Sequence, residues 1–523
     1  MKKSIILKED IKQQISEIGT EKEEFDKASA FTAEESAKIH EEYINKAKWA
    51  RTLGYLKITN YIQNVESFWK QYPFFYDKHK LWWKWNYLAN KYENVDEIDM
   101  MNGIDDALQF GGETVTSGIK ANYLEAFKRV GRKKIPKEAP VKWVQFKDKA
   151  FSLKSGKIYN VEPNYFFTNP IPWELGTSED TPIIDKLLNE WVGEKYVKTL
   201  YELIAYCCYR KYPIQTLFCL QGIGRNGKTC FINLLTKFLG VDNICSAELD
   251  DIAGNKSNRF ATFKLYTKLA CQMGETNFGL LSSSAVLKKL TGGDLIGFEK
   301  KRADPFDDYN YAKIIISSNA LPSSLDTSEG FYRRWIIIHF PNQFKEGKDI
   351  LKIIPVSEFN NLALKITKIL PELLKKGEFT NQGSIEERKI NYIMASNPLP
   401  LFINECCDRN EGSFITYDEL YTYYILFLKA LKKRRVLRKE FKASLEDEGL
   451  FVEKCNKKLD DDTGIWKSTY WVDGIQIKDN FNDICDNFHK SPTSFLMYSF
   501  KVKTMSQNAQ KSQKLEVKEE NIA

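Results

Sequence analysis

The stretch GIGRNGKT, residues 222–229, constrains this chain more than any other. It satisfies G-x-x-x-x-G-K-[ST], a spacing in which glycines let the backbone wrap a phosphate closely with several N–H groups turned inward. Lys228 offers a compact positive charge for the outer phosphates, and Thr229 a hydroxyl for Mg2+. An eight-residue pattern has this meaning only between a strand and a helix. Thr216–Gln221 is an apolar run of buried-strand length, and Cys230–Leu239 carries apolar residues at helical spacing until Gly240 stops it. The context points to a nucleotide site rather than a glycine turn, with ATP and Mg2+ as the expected ligands.

A phosphate cradle needs an acid on a second strand to hold the metal and polarise water. Leu265–Glu275 is the candidate strand, and Glu275 stands at its C-terminal end. A third run, Ala312–Asn319, is more apolar and ends in an amide. Asn319 either positions water and senses the outermost phosphate, or simply starts the turn into Pro322. Arg333 and Arg334 precede another apolar run, IIIHF. The pair serves either as an anchor or as a finger reaching a neighbouring subunit's nucleotide. Cradle, acid strand and amide strand in this order describe one doubly wound α/β domain.

In order, GIGRNGKT, MGET, KKLTGGDLIGFEKKRADPF, IIISSNALP and GFYRRWIIIHF resemble the superfamily 3 helicases. Within those AAA+ enzymes the likeness is to the poxvirus, phage and plasmid primase–helicase branch. It extends upstream to VKWVQFKDKAFSLKSGKIYNVEPNYFFTNPIPWEL and downstream to SNPLPLFINECC, so that residues 65–475 fall within it. Motif order, more than any single motif, carries the resemblance.

The resemblance implies roles position by position. Gly222, Gly224, Asn226, Gly227, Lys228 and Thr229 match the nucleotide-binding signature, and Thr229 and Glu275 the metal site. Asn319 matches the sensor asparagine, and Arg334, ahead of Arg333, the finger. Thr291–Asp294 with Lys300, Lys301 and Arg302 matches the segment whose β-hairpin projects into the central channel, where cations ride the phosphodiester backbone. Outside the family, three adjacent cations would be a solvated turn. A single acid preceded by Gly274 departs from the paired carboxylates of other members. Relatives often begin with a primase domain, which needs clustered carboxylates and a histidine. Here Asp96, Asp99, Asp105 and Asp106 fit the start of an acid-rich helix instead, and only His40 and His79 are near in sequence.

The fold expected is an α/β AAA+ P-loop core with a helical and small-sheet N-terminal region and a C-terminal winged-helix domain. The divisions expected are a helical arm over 1–64, a collar-like domain over 65–200, the ATPase core over 201–345, a helical subdomain over 346–410, a winged helix over 411–480, and a mostly disordered tail over 481–523. Thr32–Glu35 is a capping box opening a helix. Aromatics alternating with lysines from Tyr72 predict a β-hairpin turning at Asp77–Lys80. Its Trp82, Trp83 and Trp85 either stack on bases or, the favoured reading, form the core of a small sheet. Tyr417–Leu431, Lys432–Gly449 and two strands make a winged-helix plan, in which Arg434, Arg435, Arg438 and Lys439 would face DNA or belong to a merely basic surface helix.

Ten cysteines without a C-x-x-C pair, and four histidines, argue for reduced thiols rather than a zinc site. No run approaches a membrane span, and the N-terminus lacks a signal-peptide core, so a cytoplasmic protein, that of the host cell if viral, is expected. A net charge of +7 permits an anionic polymer as partner. Taken with the resemblance, the function expected is an ATP-dependent replicative DNA helicase of a virus, plasmid or integrated mobile element. It would move 3'-5' on single-stranded and forked DNA as a homo-hexamer, alongside a separate primase or origin-binding protein. The alternatives are a double-stranded DNA translocase or packaging motor, and an ATP-switched origin-binding protein.

Overall fold

The computed structural model describes residues 60–110, 116–222, 224–253, 259–274, 280–281, 284–301, 303–319, 321–324, 326–345, 350–410, 412–431, 435–458 and 466–490. The Thr32–Glu35 helix start, Glu275, Arg302, Arg434 and the tail beyond 490 lie outside these residues. The chain divides into two compact units, Met1–Ile171 and Pro172–Ala523. Among the described residues no helix is long and apolar enough to cross a membrane.

In the first unit, helix α1 (Tyr61–Gln71) leads into an antiparallel sheet of β1 (Phe74–Tyr76), β2 (Trp82–Asn86) and β3 (Lys91–Val95). Asp77 builds the turn: Oδ1 accepts from the N–H groups of His79 and Leu81, both at 2.9 Å, and Oδ2 from Trp83 Nε1 at 2.8 Å. Trp82, Trp83 and Trp85 are only 4, 2 and 3% exposed. The period-two pattern thus fills both faces of the sheet, Trp82 toward the helices and Trp83 against Phe75, and none of the three offers a ring to a base. Helix α2 (Glu97–Phe110) begins as its acids predict. Asp96 Oδ1 accepts from the N–H groups of Ile98 and Asp99, and Asp99 Oδ2 from the N–H of Asp96 at 3.1 Å. Helix α3 (Ser117–Lys133) brings Lys120 to Asp105 at 2.6 Å. A three-stranded meander follows: β4 (Trp143–Phe146), β5 (Lys149–Ser152) and β6 (Ile158–Asn160).

The second unit opens with helices α4 (Pro182–Val192) and α5 (Glu194–Cys207). Its centre is a parallel sheet flanked by helices. The elements run β7 (Leu217–Gln221), α6 (Lys228–Leu239), β8 (Ile244–Ser246), β9 (Ala270–Met273), α7 (Ser284–Gly292), the hairpin β10 (Leu295–Phe298) and β11 (Phe306–Tyr309), then β12 (Lys313–Ser318) and β13 (Trp335–His339). The five parallel strands are ordered β8-β9-β12-β7-β13. Their near-continuous apolar runs follow from burial on both faces, and Phe218, Leu220, Ile314 and Ile316 are fully covered. The predicted Leu265–Glu275 strand is shorter. Thr262–Leu265 is a 3-10 turn, and Thr267, at φ 59°, reverses the chain before the strand begins.

Helices α8 (Val356–Lys376), α9 (Ile385–Ser396) and α10 (Leu399–Cys406) follow. Glu358 of α8 caps α4 from a distance, its carboxylate accepting from the N–H groups of Ile183 and Ile184 at 3.0 Å. The last elements among the described residues are β14 (Phe414–Thr416), α11 (Tyr417–Ala430), α12 (Arg438–Asp447), β15 (Val452–Lys458), β16 (Trp466–Asp473) and α13 (Phe481–Lys490). The sheet order is β14-β16-β15, all antiparallel. Two features differ from the sequence expectation. The basic helix starts only at Arg438, where Glu440 accepts from the N–H of Leu437 at 3.1 Å, leaving 435–437 outside it. Phe481 and Ile484 of α13 are buried in the same core as α11.

Candidate nucleotide site

The loop between β7 and α6 is shaped by three glycines. A Cβ on Gly222 would lie 1.6 Å from Asn226 Nδ2 and 2.8 Å from the Phe340 carbonyl oxygen, so a side chain there would displace Asn226 and crowd the backbone. Asn226 in turn donates to the carbonyl of Phe340 at 3.3 Å, tying the loop to the chain leaving β13. Gly224 and Gly227 adopt φ 96° and 90°, the left-handed region that favours glycine. At Gly227 a Cβ would also meet Trp191 Cδ1 at 2.4 Å, so α4 forms the floor on which α6 starts. The Arg225 carbonyl accepts from the N–H of Phe344 at 2.7 Å, a second tie to the same segment.

Lys228 is buried at the head of α6. Its ammonium donates to the carbonyl of Gly222 and to Asn319 Oδ1 at 3.1 Å. The sheet explains this meeting. Strand β12 lies beside β7 in parallel register, Ser318 opposite Gln221, so the residue after β12 emerges next to the loop after β7. Strand β9 is one place further, and it ends at Met273, two residues before Glu275. Thr229 is exposed in the first turn of α6. Gln221, buried at the end of β7, leaves both side-chain polar atoms without a hydrogen-bond partner. An open Gly224, where a Cβ would meet nothing within 4 Å, a helix N-terminus and an ammonium form a donor set that fits phosphate, and the Thr229 hydroxyl oxygen adds one ligand atom for a divalent cation.

The arginine pair divides. Arg334 is buried, and its guanidinium donates to Thr291 Oγ1 at 3.0 Å, to Gln215 Oε1 at 3.3 Å and to the carbonyls of Gly330 and Lys288. Burial, with the charge of Arg333 beside it, lowers its pKa from the usual guanidinium value. Arg333 is exposed and donates to the same Gln215 Oε1 at 2.5 Å. The loop before the pair is pinned by Asp326, which accepts from Ser284, Lys288 and Ser328. Burial opposes ionisation of Asp326, but these donors outweigh it and hold the carboxyl well below its usual range. Sequence reasoning missed Gln215 and Trp191, and named Thr291 only as part of the hairpin segment, not as a partner of Arg334. Each acts across the fold, and only Thr291, within TGGD, stood inside a motif.

The remaining cations are less uniform than their sequence. Strands β10 and β11 form the hairpin, with Phe298 opposite Phe306, and Lys300 and Lys301 stand at its tip. Lys301 is exposed, whereas Lys300 lies 5.8 Å from the Phe263 ring. Towards the C-terminus, Arg438 pairs with Asp418 and lies 4.7 Å from the Tyr421 ring. Arg435 donates to Tyr421 Oη at 3.0 Å. Lys439 is exposed on the first turn of α12.

A family described as "Family of unknown function (DUF5906)" matches residues 220–334, from the end of β7 to the arginine pair. Among solved structures, an apo form of the C-terminal region of NrS-1 aligns over 76% of this chain and 88% of its own, at 15% identity and a TM-score of 0.44. A second apo structure of that region aligns over 80% of this chain and 100% of its own, at 14% identity and a TM-score of 0.40.

Proposed function

We propose that the second unit is a P-loop ATPase of AAA+ type that drives a DNA helicase, and that its C-terminal part is a winged-helix domain. The observation carrying this reading is the Lys228–Asn319 contact, which joins the cradle to the end of the neighbouring parallel strand. Gly222, Gly224, Asn226 and Gly227 would shape the loop around the phosphates of ATP, Lys228 would bind the outer ones, and Asn319 would orient Lys228 and the attacking water. Thr229 and Glu275 would hold Mg2+, which supplies charge neutralisation when bound. Glu275, two residues beyond β9, would take the proton from water.

In a ring, a residue that completes a neighbour's site must leave its own subunit. Arg333, exposed beside the anchored Arg334, suits that reach, and Arg334 suits the part of an internal strut. Lys300 and Lys301 on the hairpin, with Arg302 next in sequence, would follow the backbone of single-stranded DNA in the channel of a homo-hexamer, moving 3'-5' on forked substrates. Lys439 would contact duplex DNA from the C-terminal domain, with Arg434, Arg435 and Arg438 in support. The reading extends to a virus, plasmid or integrated element, acting in the cytoplasm with a separate primase or origin-binding protein. Strand displacement on forked DNA, with and without ATP, tests it. ATP-dependent unwinding that Lys301→Ala abolishes while hydrolysis continues is the expected result, and ATP hydrolysis without any unwinding sinks the helicase reading.

A further inference from the structure

The lysine-rich meander of the first unit carries an aromatic stack that no role above uses. Strands β4 and β6 flank β5, and register places Trp143 opposite Ser152 and Tyr159 opposite Ala150. All four side chains therefore share one face, and the two rings meet above small residues. Their centroids are 4.5 Å apart with planes within 18°. Phe167, buried, lies nearly parallel to Trp143 at 6.4 Å, and Tyr165 abuts Trp143 at 5.4 Å. The series runs from a covered ring, through half-buried Trp143, to Tyr159, which keeps 39% of its surface exposed.

The charges around this stack are mostly positive. Residues 134–165 contain seven lysines against the three acids Glu138, Asp148 and Glu162, and Asp148 is already paired with Lys149 at 3.3 Å. Lys142 immediately precedes Trp143. Lys154 and Lys157 stand in the tight turn before Tyr159, where Gly156 takes φ 67°, and all three lysines are exposed. An exposed ring ending an ordered stack, bordered by lysines, suits a polymer that presents flat apolar faces on an anionic backbone. Duplex bases are already stacked on each other and have no face to offer.

We propose that Tyr159 and Trp143 form a stacking platform for single-stranded nucleic acid, with Lys142, Lys154 and Lys157 holding its phosphates. The site lies in the first unit and needs no nucleotide, so it stands or falls apart from the ATPase reading. A base stacks on the free face of Tyr159 and extends the series of rings, and the lysines contribute affinity without reading sequence. Sugar identity is not sensed by a ring face, so DNA and RNA share the chemistry and the test separates them.

The test uses the full chain without nucleotide. Labelled oligothymidylate and oligouridylate are titrated by fluorescence anisotropy, and a bromouracil-substituted strand is photo-crosslinked and mapped by mass spectrometry. Tyr159→Ala is expected to weaken binding of at least one polymer about tenfold, while Tyr159→Phe, which keeps the ring, binds as wild type. Lys154→Gln with Lys157→Gln should flatten the salt dependence. The crosslink should fall on the tryptic peptide Ile158–Lys186. The platform is overturned if Tyr159→Ala binds both polymers as wild type does. It is equally overturned if the crosslink misses that peptide, or if unlabelled duplex displaces it as well as single strand does.

Discussion

The cradle at 222–229 and the basic segment at 435–439 both announced themselves as sites for phosphate, yet the fold treats them oppositely. In the cradle most motif residues are fixed in place: two glycines by positive φ, one glycine under Asn226, and Lys228 at a helix start facing Asn319. In the basic segment the cations are partly spent at home. Arg438 pairs with Asp418, and Arg435 is bound to Tyr421, leaving Lys439 exposed. A phosphate cradle is a backbone conformation, which local sequence dictates. A DNA-facing charge is a matter of what else the charge touches, which only packing decides.

The contrast breaks first at Lys228. Lys228→Ala is expected to lower ATP hydrolysis at least about a hundredfold, because it removes the outer-phosphate charge. Gly227→Ala should do the same through the backbone and should also lower thermal stability, since the new methyl collides with Trp191. Hydrolysis within twofold of wild type in Lys228→Ala would end the site assignment.

The arginine pair gives the next largest effect. Arg334→Ala strips partners from Gln215 and the Gly330 carbonyl and should cost about 1–3 kcal/mol in denaturant unfolding. Arg333→Ala should leave unfolding within about 0.5 kcal/mol of wild type, as exposed positions usually do, yet reduce ATPase in the assembled protein. Mixing Arg333→Ala with Lys228→Ala subunits should partly restore hydrolysis. If Arg334→Ala folds normally and Arg333→Ala hydrolyses normally, the division between strut and finger is wrong.

In the basic segment the effects should be smaller. Lys439→Ala is expected to weaken duplex binding and reduce its salt slope by about one unit per lost phosphate contact. Arg438→Ala should change the slope less, because its charge is already matched by Asp418. Equal slopes for the two variants would show that the ion pair opens on DNA.

A pH effect of similar size comes from Lys313, whose ammonium donates to the carbonyls of Tyr209, Lys211 and Tyr311 and sits 4.6 Å from the Tyr206 ring. Burial pushes it down to about 7, with Cys207 and Cys208 opposing. The unfolded chain then holds that proton more tightly, so the penalty is full below pH 7 and eases as pH rises. Stability should climb by up to about 1.4 kcal/mol per pH unit from 7 to 8.5, where free thiols begin to ionise. Lys313→Met should flatten the climb in urea unfolding at several pH values.

What was legible follows the same line. The end of α6 at Gly240, the two strands flanking β7, the acid-capped α2 and the Asp77 turn were written in short patterns whose physics is local, although α6 begins at Lys228, two residues before the apolar spacing does. The sequence hid what depends on contacts between distant residues. Gln215 beneath the arginine pair lies more than a hundred positions from it, and Trp191 reaches Gly227 from another helix. Nor could alternation alone say whether Trp82, Trp83 and Trp85 faced water. An alternating strand exposes one face only if nothing covers it, and here both faces are covered.

The most direct test of the central claim is Mg2+-dependent ATP hydrolysis by the wild type, Lys228→Ala, Asn319→Ala and Lys439→Ala, measured side by side with DNA present. The account predicts that the wild type and Lys439→Ala hydrolyse ATP, that Lys228→Ala does not, and that Asn319→Ala falls between with near-normal ATP binding. A wild type that hydrolyses no nucleoside triphosphate, or an Asn319→Ala protein as active as the wild type, would contradict it.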